Sequence, residues 1–237
     1  MTAEGMEAIR QADKVLYGTA EPLTEDWILR NAKSAESLDR FYLDGQPLMA
    51  TYEKMISAIV ADVRSGLRVC ACFEGHAGVF VLASHESLRI LRAEGYRGRM
   101  LPGISTQEAL FCDLGIDPGE YGYQSLEATD FLLHGFAPDV TSVLVLWQVS
   151  AIADYRFHNE PKKSGNLAVL AEVLEGFYGK HHTVLSYQAP VLAITKPVIT
   201  RITVQDLAAV DVEPVTLCIP PLRLPRTNDA WVRRLGP

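Results

Sequence analysis

The sequence predicts an α/β fold of two α/β domains with a cleft between the halves, split near Ser105. Three observations carry this. Short apolar or β-branched runs alternate with helical periodicities along most of the chain. Ser142 to Val149 (SVLVLWQV) is an apolar run of strand length, suited to the middle of a sheet covered on both faces. From Arg68 to Ser105, a buried-strand pattern at Val69 to Phe73 breaks at Gly75 and Gly78, with His76 between them. An apolar and then charged segment, Val79 to Glu94, leads back to a second strand at Arg99 to Leu101, ending in Pro102-Gly103. Open α/β sheets bind ligands at strand carboxyl ends, and glycines there let backbone amides come close. Two strand ends are therefore expected to present two loops to one cleft. The expected boundaries are 1–104, 105–221 and a C-terminal arm, 222–237.

Each element has its own signal. Thr2 caps a helix to Ala12 with Met6 and Ile9 on one face, and Val15 to Tyr17 is a short strand stopped by Gly18. Thr24 caps a helix through Asn31, with Glu25 and Asp26 in its first turn. Phe41 to Tyr52 turns at Asp44-Gly45 and enters a helix near Pro47. That helix runs to Gly66 with Met55, Ile56, Ile59, Val60 and Val63 on one face. Ser105 opens a helix over Thr106 to Leu114, Glu108 completing a capping box; Asp117-Pro118-Gly119 is a turn, and Glu127 to Leu133 a helix. Asn159 to Gly165 is polar and reads as a loop, followed by a helix over Asn166 to Tyr178. Strand Thr183 to Tyr187, a Thr/Ile-rich segment from Ile199, a short helix from Val204 and strand Val215 to Ile219 complete the order. Pro220-Pro221 ends regular structure.

Composition narrows the function classes. A net charge of −7 and a pI near 5.4 argue against nucleic acid or an anionic membrane as partner. No apolar stretch approaches the ~20 residues a membrane span needs, and no basic-then-apolar signal opens the chain, so a cytoplasmic location is the expectation. Of Cys70, Cys72, Cys112 and Cys218, the first two share one face of a strand. No second close pair builds a zinc site, and buried reduced thiols are expected. His181-His182 lacks a third ligand and reads as a solvated turn, so no metal is expected.

The stretch Glu74-Gly75-His76-Ala77-Gly78-Val79-Phe80, with Ser84-His85-Glu86-Ser87-Leu88, Glu94-Gly95-Tyr96 through Ser105, Leu110 to Pro118 and Leu126 to Phe131, resembles the tetrapyrrole-methylase-like S-adenosylmethionine-dependent methyltransferases. Within them it is most similar to the peptide backbone α-N-methyltransferases of borosin biosynthesis, which act on ribosomally synthesised peptides. The resemblance implies the tetrapyrrole methylase fold, S-adenosylmethionine as cofactor and a homodimer. Apolar residues in the helix after Tyr52, the Tyr42 segment and the arm beyond Pro221 suit such a dimer. It places the cofactor at Gly75, His76, Val79 and Phe80, at Ser105 and Thr106, and at Gln148, Ala189 and Thr216. Tyr42 and Tyr52 match two tyrosines of the borosin-type active site. The arginine between them and the tyrosine of the glycine loop are replaced here by Leu48 and Glu74. In that family a strand and a glycine-rich loop precede the first helix. This chain opens at the helix, so the first strand is expected to be missing and cofactor binding weakened.

A backbone amide is a poor nucleophile because resonance holds its lone pair. Methylating it requires donors at the carbonyl oxygen and an acceptor for the proton. Tyrosine hydroxyls suit the first role, and one ionised tyrosinate suits the second; Glu74 is the other candidate acceptor if burial raises its pKa, and a solvated or salt-bridged Glu74 is the alternative. Three readings follow: a peptide N-methyltransferase acting in trans on a separate precursor, since no repetitive apolar tail follows Pro221; a methyltransferase for a small molecule such as a tetrapyrrole; and a catalytically impaired relative that binds a peptide or partner chain.

Overall fold

A computed structural model describes residues 1–19, 21–159, 166–190, 195–210 and 216–236. Most of the expected polar loop, residues 160–165, lies outside them. The chain divides into two compact units: Met1–Ala109 with Tyr155–Pro161, and Leu110–Asp154 with Lys162–Pro237.

The first unit is built on three parallel strands in the order β2 (Ala35–Ser37), β1 (Lys14–Gly18), β3 (Val69–Phe73). Side chains alternate across β1. Val15 and Tyr17 join Ile9, Ala12 and Ile28 on the side of helices α1 (Ala3–Gln11) and α2 (Pro22–Asn31). Leu16 packs on the other side with Leu38, Met55, Ile59 and Ala83, from α3 (Leu48–Arg64) and α4 (Leu82–Ala93). The Lys14 ammonium, 2.8 Å from both Glu36 and Asp62, ties β1 to β2 and α3.

The second unit carries a mixed five-stranded sheet in the order β4 (Tyr123–Glu127), β5 (Val143–Trp147), β8 (Thr216–Ile219), β6 (Thr183–Gln188), β7 (Val198–Thr203). As the apolar run predicts, β5 is interior. Leu144 and Leu146 pack with α7 (Ala128–Leu133) and α8 (Leu167–Tyr178), while Val145 and Trp147 pack with Leu110 of α5 (Thr106–Leu114). Pro118–Tyr121 is the short helix α6, and Asp229–Leu235 the terminal helix α9, none of whose residues is buried.

Several expectations are corrected. Arg99 to Leu101 is not a strand: it has no ladder partner among the described residues, Arg99 reaches Glu4 (2.8 Å), and Pro102 follows at once. One strand end, not two, therefore carries a loop in this region. Val69 to Phe73 is half-buried at every residue, because among the described residues β3 pairs with β1 alone. The second helix starts at Pro22, where Glu21 rather than Thr24 is the cap and accepts from the backbone N–H groups of Leu23 and Thr24. Asp117 caps a helical turn rather than a simple turn. Of the cysteines only Cys218 is buried and Cys112 is exposed, though all four are free thiols; the Cys70 and Cys72 sulfurs lie 3.7 Å apart on one face.

Candidate active site

The carboxyl end of β1 and the loop after β3 border a pocket of about 300 Å³ within the first unit. Gly18 ends β1 without a side chain, and the 3-10 turn Asp39–Phe41 follows β2. Asp39, Tyr42, Tyr52, Phe73, Glu74 and Phe80 are among the residues that line the pocket. Tyr42 and Tyr52, predicted from sequence, thus share a pocket with Glu74. Leu48 is not among the lining residues; it opens α3, where its N–H donates to the Tyr155 carbonyl (2.8 Å).

Tyr42 is held from behind. Residues 155–159 run antiparallel to the 44–48 turn: the Gly45 N–H donates to Phe157 O (2.8 Å) and the Phe157 N–H to Gln46 O (2.9 Å). The Phe157 ring then packs 4.8 Å from that of Tyr42. Burial pushes the Tyr42 hydroxyl up to about 12, with Tyr52 and the Asp39 charge adding to it. Burial alone raises Tyr52. Both are therefore protonated hydrogen-bond donors at neutral pH. Asp39 is half-buried, and burial raises its carboxyl above the ordinary value, against the hydrogen bonds it accepts from Ser37 and the Thr19 backbone. Glu74 is exposed.

The loop after β3 is built by close backbone contact. A Cβ at Gly103 would stand 2.2 Å from the Gly75 carbonyl oxygen, so only glycine lets the two chains meet. The His76 Nδ1 accepts from the Gly78 N–H (2.9 Å). Val79 is exposed; Phe80 lines the pocket with φ +56, a left-handed conformation uncommon in a bulky residue. Ser105 is buried, its N–H donating to Glu108 Oε2 (2.7 Å) in the expected capping box, and Thr106 beside it is exposed. In the second unit Gln148, Ala189 and Thr216 lie at one end of the sheet. Thr216 pairs with Trp147 and Tyr187, and Gln148 leaves β5 at φ +57.

Residues 1–185 match the Tetrapyrrole (Corrin/Porphyrin) Methylases. The chain belongs to the tetrapyrrole methylase family. Its solved structural neighbours show the same fold. A uroporphyrin-III-C-methyltransferase from Thermus thermophilus superposes with a TM-score of 0.63 at 17% identity, over 97% of this chain and 92% of its own. A cobalt precorrin-4 methyltransferase gives 0.59 at 16%, over 94% and 90%. The α/β class and the tetrapyrrole methylase fold are thus as expected. Sequence relatives lie on the borosin side, as the resemblance implied. A methyltransferase/gymnopeptides precursor of Gymnopus fusipes is 38% identical over 99% of this chain and 57% of its own length. The omphalotin A counterpart of Omphalotus olearius is 37% identical over 99% and 58%, and the dendrothelin A counterpart of Dendrothele bispora 39% over 87% and 50%. This tetrapyrrole methylase spans about half the length of these relatives, each of which is named as methyltransferase and peptide precursor together.

The pocket suits a cationic methyl donor. Two carboxylates and four aromatic rings line it and no Lys or Arg does, so a sulfonium meets negative charge and π-faces. Among the described residues no group of His, Cys, Asp or Glu could hold a metal, and no helix is long and apolar enough to cross a membrane. Sequence reasoning missed Asp39, Gly18 and Thr19. Asp39 sits between Leu38 and Arg40 and reads as a solvated turn charge; its position three residues before Tyr42 was the available signal.

Proposed function

We propose that the chain is an S-adenosylmethionine-dependent methyltransferase that N-methylates backbone amides of a precursor peptide. The observation that carries this reading is the Tyr42–Tyr52 pair, half-buried in one anionic, aromatic pocket. S-adenosylmethionine, when bound, supplies an electrophilic methyl group. Gly75, His76, Val79, Phe80, Ser105 and Thr106 are the first-unit residues that would hold it. Tyr42 and Tyr52, kept protonated by burial, donate to the amide oxygen and stabilise the imidate-like form. A pocket without a cation offers little to a polycarboxylated tetrapyrrole, which favours the peptide over the small-molecule reading.

The peptide partner is supported by the names of the relatives, each of which joins a methyltransferase to a peptide precursor. A homodimer completes the proposal. Leu224, Trp231 and Leu235 of the C-terminal arm are exposed at 64%, 54% and 79%, an apolar surface suited to a second copy. The test supplies methyl-labelled S-adenosylmethionine and a synthetic apolar precursor-like peptide to the purified protein. Label in the peptide supports the reading; label in a uroporphyrinogen instead replaces it with the small-molecule one.

A further inference from the structure

Removing the proton from an amide needs an acceptor, and the pocket offers few. Tyr42 and Tyr52 are donors at neutral pH, and Glu74 is exposed on the rim. Asp39 differs from all three. Its Oδ2 accepts from Ser37 Oγ (3.3 Å) and the carboxylate also accepts from the Thr19 backbone, while its Oδ1 faces the bare Cα of Gly18, where an added Cβ would stand 3.4 Å away. A carboxylate has capacity for about four hydrogen bonds, so this one keeps lone pairs to offer. The titratable groups around it are Tyr42 and Tyr52 from the α3 side, Glu74 of the same lining, and Tyr17 with Glu25, whose Oε1 accepts from the Tyr17 hydroxyl (2.9 Å). The neighbouring Arg40 is taken up by Glu36 and lies over the Phe41 ring.

We infer that Asp39 is the catalytic base of the methyl transfer, accepting the substrate amide proton beside the Tyr42 and Tyr52 donors. This rests on the peptide N-methyltransferase reading. The amide N–H bond breaks, the proton passes to an Asp39 oxygen, and the electron pair left on nitrogen forms the new N–C bond. The methyl–sulfur bond of the sulfonium donor breaks with its pair going to sulfur. Asp39 thus takes the proton-accepting role that the sequence had offered to Glu74. It also explains why a half-buried carboxylate stands in the pocket without a cation on the lining.

The test compares wild type with Asp39→Asn and Asp39→Glu in the full chain, using the methyl donor and a precursor-like peptide. Asp39→Asn is expected to lower turnover by roughly 10²–10⁴-fold, the usual range for a general base, with donor affinity by calorimetry falling far less than turnover. Asp39→Glu should recover part of the rate. The acid limb of the wild-type rate profile should lie above the ordinary carboxylate range and vanish from the residual activity of Asp39→Asn. Independently of turnover, ultraviolet difference titration should show Tyr42 ionising at lower pH in Asp39→Asn, since a neighbouring negative charge is gone. Asp39→Asn should also melt at or above the wild-type temperature at neutral pH, which excludes misfolding as the cause of lost activity. Equal turnover in Asp39→Asn, or an unmoved tyrosine titration, overturns the assignment alone. A wild type that methylates no peptide overturns the underlying reading and the assignment with it.

Discussion

At the scale of single residues, burial holds the Tyr42 and Tyr52 hydroxyls protonated in the pocket. The Tyr42 hydroxyl, pushed up to about 12, resists ionisation in the folded chain relative to the unfolded one. Its folded value is the higher, so its contribution to stability is intact below the ordinary tyrosine value of 10.0 and is lost as pH rises through about 12. Alkaline unfolding of Tyr42→Phe should accordingly begin at higher pH than that of wild type, read by circular dichroism. Tyr52→Phe removes one donor to a charge that develops in the transition state. Turnover should fall by roughly 10²-fold or more, with donor affinity unchanged. Unchanged turnover would remove Tyr52 from the mechanism. Leu48→Arg is its companion. It restores the cation that the resembled enzymes place between the two tyrosines, and steady-state kinetics should show a faster enzyme.

At the scale of elements, the substitutions that matter are those where backbones touch. Gly103→Ala drives a methyl group into the Gly75 carbonyl oxygen, 2.2 Å away, so the loop after β3 must move. An overpacking cost of ~1–3 kcal/mol is expected, with weakened donor binding by calorimetry. Gly176→Ala is the contrast. It lies inside α8 with no atom within 4 Å of the added Cβ, and it should stabilise by about 0.4–1 kcal/mol in chemical denaturation. Legibility in the sequence followed the same physics. β5 was readable because five consecutive apolar residues fit an interior strand, and α3 because its buried Met55, Ile59 and Val60 repeat at helical spacing. β2 (AES) and β4 (YQSLE) were missed, being short and polar; their strand character comes from pairing with β1 and β5, which local composition does not encode. Residues 99–101 failed the other way, carrying apolar character without a partner strand. In the pocket the two tyrosines came from resemblance, whereas Asp39 required the 3-10 turn that aims it beside Gly18.

At the scale of the molecule, the exposed apolar residues of the C-terminal arm predict association. Sedimentation at micromolar concentration should give a homodimer, and its interface should exceed ~2,000 Å² if it is of the obligate kind. Trp231→Ala combined with Leu235→Ala should shift the population toward monomer. We propose that the tetrapyrrole methylase fold here carries chemistry at a peptide nitrogen. The most direct measurement is fragment-ion mass spectrometry of a precursor-like peptide after incubation with the protein and S-adenosylmethionine. The account predicts added methyl groups on backbone nitrogens, located within individual residues by the fragment series and absent when the protein carries Tyr52→Phe and Asp39→Asn together. Methyl groups confined to side chains or termini, or an unmodified peptide beside a methylated tetrapyrrole, would contradict it.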